Sequence, residues 1–127
     1  MKILVIDDEQ DLRMLVTYFL QKEGYQVETA ENGLEGFEKT KSWHPDLIVS
    51  DVQMPVCNGH GLLSRLEALA PPPVPVLFMS GYPGKENVDY SQTKNLKGFL
   101  AKPFTPKELL DTVASVFKGT PYSPKTI

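Results

Sequence analysis

Short runs of consecutive apolar residues alternate along the chain with segments whose apolar positions recur every three or four residues. Lys2 to Ile6 (KILVI) is apolar after its first residue and stops at Asp7-Asp8. Such a run suits a strand buried on both faces, as in a parallel sheet. Leu12, Leu15, Val16, Phe19 and Leu20 then follow a helical period, and Gly24 stands where that helix would stop. A second strand is expected from Tyr25 to Ala30. Asn32 and Glu35 resemble a capping box ahead of a short helix with Leu34 and Phe37 facing inward, although Gly36 weakens its helical propensity.

Pro45 precedes Leu47-Ile48-Val49-Ser50, a third buried strand ending at Asp51. The turn-rich stretch Met54 to Gly59 leads into Leu62, Leu63, Leu66 and Leu69, one helical face, which Pro71-Pro72-Pro73 terminates. Val74 to Met79 is the fourth strand, with Pro75 at its start. Gly84 to Asn95 is polar and predicts a short or loosely held helix. Gly98 to Ala101 is the fifth strand, ending at Lys102-Pro103. The last helix has the strongest signals: Thr105 as N-cap, Pro106 at its first position, Glu108 closing a capping box, and Leu109, Leu110, Val113, Val116 and Phe117 on one face. Gly119 ends it. Residues 1–119 read as one domain and 120–127 as a tail.

Five strands alternating with about five helices predict an α/β fold, a parallel sheet with helices on both faces. Composition narrows the class further. One cysteine in 127 residues forms no internal disulfide, which favours a reducing compartment. The net charge is −3, without a run of Lys or Arg, so no direct nucleic-acid contact is expected. No apolar stretch approaches the roughly 18 residues of a membrane span, and no signal-peptide core is evident. A cytoplasmic globule is the expectation.

In open parallel sheets, ligands bind beyond the carboxyl ends of the strands. Asp7, Asp8, Asp51, Ser80 and Lys102 stand there. Three carboxylates in one site repel one another and need compensation. A hard divalent cation such as Mg²⁺ supplies it and takes carboxylate, water and phosphate oxygens as ligands. Lys102 adds a point charge suited to phosphate, and Ser80 adds a hydroxyl. Together these groups describe a phosphoryl site, with Asp51 able to form an aspartyl phosphate.

The chain resembles the receiver domains of two-component response regulators. The likeness rests on Ile6-Asp7-Asp8-Glu9, Asp51-Val52-Gln53-Met54-Pro55 with Gly59, Met79-Ser80-Gly81 and Lys102-Pro103-Phe104, which span almost the whole chain. The resemblance implies a flavodoxin-like, doubly wound sheet of order 2-1-3-4-5, an order the chemotaxis regulator exemplifies. It also implies phosphorylation of Asp51 by a histidine kinase. Asp8 and Asp51 would supply metal ligands, with Asp7 acting through water and the Gln53 backbone carbonyl as a further ligand. Ser80 would be the switch hydroxyl, Lys102 the phosphate-pairing cation and Phe99 the switch aromatic. The Lys102–Pro103 bond is expected cis. Gln53 and Tyr82 occupy positions that tune phosphate lifetime in the family. On this reading the domain is no enzyme for external substrates and catalyses only its own phosphotransfer and dephosphorylation.

Blander readings stand beside these. Asp7-Asp8 could serve only the helix dipole, Ser80-Gly81 a turn, Lys102 the surface and Phe99 the core. Cys57 and His60 lack further ligands at metal spacing and read as incidental, while Trp43 and His44 are expected to pack beside the third strand. A haloacid-dehalogenase-type phosphatase uses similar groups but places a second Asp where Gln53 stands, and an amide shuttles no proton. A receiver-like scaffold that binds partners without phosphorylation is the remaining alternative. The partner is a histidine kinase phosphodonor domain, or the remainder of a hybrid kinase from which this receiver is excised; the sequence leans slightly to the latter. A weak homodimer is the further association considered.

Overall fold

The computed structural model describes residues 1–54, 56–69, 74–81 and 95–119. Five strands form one parallel sheet: β1 (Lys2–Ile6), β2 (Gln26–Ala30), β3 (Leu47–Asp51), β4 (Val76–Ser80) and β5 (Leu96–Ala101), in the order β2-β1-β3-β4-β5. The order reverses beside β1, so the carboxyl ends of β1 and β3 flank a switch point. All four neighbouring pairs are parallel. Four helices are described: α1 (Gln10–Lys22), α2 (Gly33–Trp43), α3 (Gly59–Glu67) and α4 (Pro106–Phe117). The helix expected over Gly84 to Asn95 lies, apart from Asn95, outside the described residues, as do Tyr82 and the tail.

Alternating side chains divide the sheet into two apolar layers. Ile3, Val5, Leu47, Val49, Leu77 and Met79 face α1 and α4, where they meet Val16, Leu20, Leu109 and Val113. Leu4, Ile6, Ile48, Val76 and Phe78 face the opposite way, against Leu62, Leu63 and Leu66 of α3 and Phe37 of α2. A strand buried on both faces needs continuous apolar sequence, which explains the uninterrupted runs in β1, β3 and β4. Edge strands β2 and β5 are the exceptions, with exposed Gln26 and Glu28 in the first and exposed Lys97 in the second.

Local signals act largely where the sequence places them. Asn32 caps α2 by accepting from the Glu35 amide, and Thr105 and Glu108 form a complete capping box on α4. Gly24, at φ 97°, follows α1, and Gly119, at φ 72°, follows α4. Leu15 and Leu34 depart from expectation: they are 50% and 39% exposed, not inward. Val16 and Leu20 take the inner face of α1, while α2 turns Gly33, Gly36 and Thr40 inward. A Cβ at Gly36 would lie 2.2 Å from Ile6 Cδ1, so the glycine that lowers helical propensity is what lets α2 approach the sheet. His44 is a second correction. It is exposed and closes α2 in the left-handed region at φ 54°, whereas Trp43 does pack on the layer that holds Ile48.

Candidate functional site

Asp7 follows β1 immediately and is fully buried. Its amide donates to the Ala30 carbonyl at 3.1 Å, and its Oδ1 accepts from the Glu9 amide at 2.9 Å. Asp8, next along the chain, is exposed. Asp51 is the last residue of β3, 9% exposed, and its Oδ1 accepts from the Val52 amide at 2.8 Å. The Val52 carbonyl accepts from the Gly59 amide at 2.8 Å, which ties the start of α3 to the end of β3. The resulting strand tips bring Asp7, Asp8 and Asp51 together, with one carboxylate oxygen from each within 4.8 Å of the others.

Lys102 enters from the far side of the sheet. Its amide donates to the Ser80 carbonyl at 2.8 Å, continuing the β4–β5 ladder past the end of the strands. From there Nζ lies 3.4 Å from Asp51 Oδ2 and 3.5 Å from Asp7 Oδ2. The Lys102–Pro103 peptide is cis, as the resemblance implies. Ser80, 6% exposed, ends β4 next to this lysine. Phe99 is half-buried, and its ring meets Phe78 edge-on at a centroid distance of 5.9 Å. Gln53 is exposed two residues beyond Asp51.

Burial sets the acid–base character of the pocket. Loss of hydration pushes the Asp7 carboxyl above its ordinary value; the Glu9 amide and Lys102 oppose this, while Asp51 and Asp8 add to it. Burial likewise raises Asp51, against Lys102 and the Val52 amide, and Asp8 raises it further. One ammonium therefore leaves the negative charge under-compensated. Asp7 Oδ2 is buried and has no hydrogen-bond donor. An all-oxygen donor set with an orphaned buried oxygen fits a hard divalent cation of the Mg²⁺ kind.

Cys57 and His60 do not join this group. Among the described residues the three aspartates are the one cluster of acidic, His or Cys side chains at metal-holding spacing. Cys57 is buried near Gly33 and Gly61, and the His60 ring packs edge-on to Phe78. Two features near the site escape sequence reading. Arg13 donates to the Asp7 carbonyl at 2.7 Å, a tertiary contact with no motif of its own. Val56, in the loop after Asp51, adopts φ 69° and is 78% exposed. A β-branched residue there is strained, and only backbone geometry reveals it.

The profile of the response regulator receiver domain matches residues 3–114. The chain belongs to the response regulator receiver family. This receiver is 31% identical over 112 residues to sporulation initiation phosphotransferase F of Bacillus subtilis, covering 88% of the chain and 90% of that protein. It is 33% identical over 118 residues to the transcriptional regulatory protein CreB of Escherichia coli, covering 91% of the chain and 50% of CreB. The chain spans about half the length of several curated relatives it matches. Among solved structures, the receiver domain of the hybrid histidine kinase CckA superposes with a TM-score of 0.72 at 30% identity, covering 91% of this chain and 97% of that one. The receiver's sheet order is that of a flavodoxin-like, chemotaxis-regulator-type fold. Among its described residues no helix is long and apolar enough to cross a membrane.

Proposed function

We propose that Asp51 is the phosphoacceptor of this receiver and takes a phosphoryl group from a phosphohistidine, either of a histidine kinase or of the remainder of a hybrid kinase. The observation that carries this reading is Lys102 Nζ standing between Asp51 and Asp7, 3.4 and 3.5 Å from their Oδ2 atoms. An Asp51 carboxylate oxygen attacks phosphorus in line with the donor imidazole. The P–O bond forms as the P–N bond breaks, its electron pair returning to the ring, and the imidazole, already protonated on its other nitrogen, leaves neutral. Lys102 then pairs with the phosphoryl oxygens, and a preorganised cation of this kind stabilises charge that develops in the transition state.

Asp8, Asp51 and the Gln53 carbonyl, with Asp7 behind them, would hold Mg²⁺, which when bound supplies further charge neutralisation on the phosphoryl oxygens. The product adds roughly −1.5 to −2 charge, by analogy with other phospho-residues. Ser80 hydrogen-bonds a phosphoryl oxygen and Phe99 turns into the space Ser80 leaves. One charge-assisted hydrogen bond contributes about 1.5–3 kcal/mol. A near-complete reversal of a two-state population needs about 5.5 kcal/mol. Ser80 therefore shares the task with Lys102. Gln53, an amide where a hydrolase would need a second acid, favours a phosphorylated state that persists over turnover of external phosphoesters.

Acetyl phosphate with Mg²⁺ tests the assignment. Wild-type protein acquires label and the Asp51→Asn variant does not. Undiminished labelling of that variant rejects Asp51 as acceptor, and steady phosphate release from generic phosphomonoesters favours the hydrolase reading instead.

A further inference from the structure

Arg13 has no part in the phosphoryl chemistry above, yet its guanidinium turns inward. The residue lies in the first turn of α1, and its side chain is only 13% exposed. Nη1 donates to the Asp7 carbonyl at 2.7 Å, while Nη2 lies 3.8 Å from Glu31 Oε1. Every hydrogen-bonding atom of Asp7 but one is thereby occupied. The amide is held by the Ala30 carbonyl, the carbonyl by Arg13 and Oδ1 by the Glu9 amide. The remaining Oδ2 is buried without a donor and faces Lys102 at 3.5 Å.

We propose that Arg13 is a positioning residue for the acidic pair, acting through the Asp7–Asp8 peptide. The carbonyl it grips belongs to the peptide plane from which Asp8 departs. A single bond therefore fixes where the Asp8 carboxylate emerges and holds Asp7 Oδ2 towards the pocket. The inference rests on the reading of Asp7, Asp8 and Asp51 as a cation-holding group. Partners behind a metal's direct ligands typically change its affinity 10–100-fold when removed.

Positioning and simple charge predict opposite signs. A guanidinium bonded to the Asp7 carbonyl adds positive charge near the pocket and opposes cation binding, so deleting it as a charge alone tightens Mg²⁺. Deleting it as a clamp loosens Mg²⁺ because the carboxylates lose their common aim.

Calorimetric or NMR titration with Mg²⁺, on the full chain without phosphodonor and at fixed ionic strength, separates the two. Arg13→Gln is expected to weaken Mg²⁺ about tenfold. Arg13→Lys keeps the charge without the planar fork and is expected to fall between the variant and wild type. Unchanged or tighter binding by Arg13→Gln overturns the proposal. Should Arg13→Gln fail to fold, the charge-matched Arg13→Lys decides: weaker binding supports the clamp, and wild-type affinity overturns it. Absence of Mg²⁺ binding by the wild type overturns the cation-site reading itself, and the proposal with it.

Discussion

Asp7 and Asp51 are buried as carboxylates beside a third acid, and Lys102 offsets only part of the penalty. Both groups bind a proton more tightly folded than unfolded, their folded values lying above the ordinary aspartate value of 3.8. In strong acid both states are protonated and the penalty vanishes. As pH rises from about the unfolded value through the raised folded value, the unfolded state ionises first and stability falls. At neutral pH the full penalty is present. Asp7→Asn should therefore raise the thermal midpoint of the metal-free protein at pH 7, with a gain that shrinks on acidification toward pH 4. Calorimetric scans of both proteins across that range check the sign. A gain that grows toward acid contradicts it. The three aspartates and Lys102 were legible because strand ends expose their chemistry in the sequence; Arg13 was not, because its partner is a backbone carbonyl.

Helices reach the site through contacts that sequence patterns report unevenly. Capping of α4 by Thr105 and Glu108 is local, so residue identity at fixed spacing suffices to read it. Placement of α2 is different in kind. Its first residue, Gly33, donates its amide to the Cys57 carbonyl at 2.9 Å, and a Cβ there would stand 2.4 Å from that oxygen. This contact joins α2 to the loop that follows Asp51. Gly33→Ala should improve helical propensity yet destabilise the protein by about 1–3 kcal/mol through overpacking. Urea denaturation measures the difference, and equal or greater stability of the variant refutes the close-contact argument. Leu15 and Leu34 belong to the same lesson. Helical period marks a broad stripe, but the two-layer packing selects only its centre, and small residues such as Gly36 can occupy that centre.

Over the whole molecule, alternation of apolar runs with helical segments made the parallel sheet legible. The strand order came with the family resemblance, and hydrogen-bonded pairing β2-β1-β3-β4-β5 bears it out. That order is what gathers distant residues into one pocket. It sets the tips of β1 and β3 side by side, and the ladder beyond β5 carries Lys102 next to Ser80. Distances within the pocket were beyond sequence reading, since they depend on register and on the reach of single side chains. Mass spectrometry after reaction with acetyl phosphate and Mg²⁺, with borohydride reduction to trap an acyl phosphate, tests the phosphoacceptor directly. One phosphoryl group per chain before reduction, and homoserine in place of Asp51 after it, is the expected result. Label mapped to a different residue, or resistant to hydroxylamine, contradicts it.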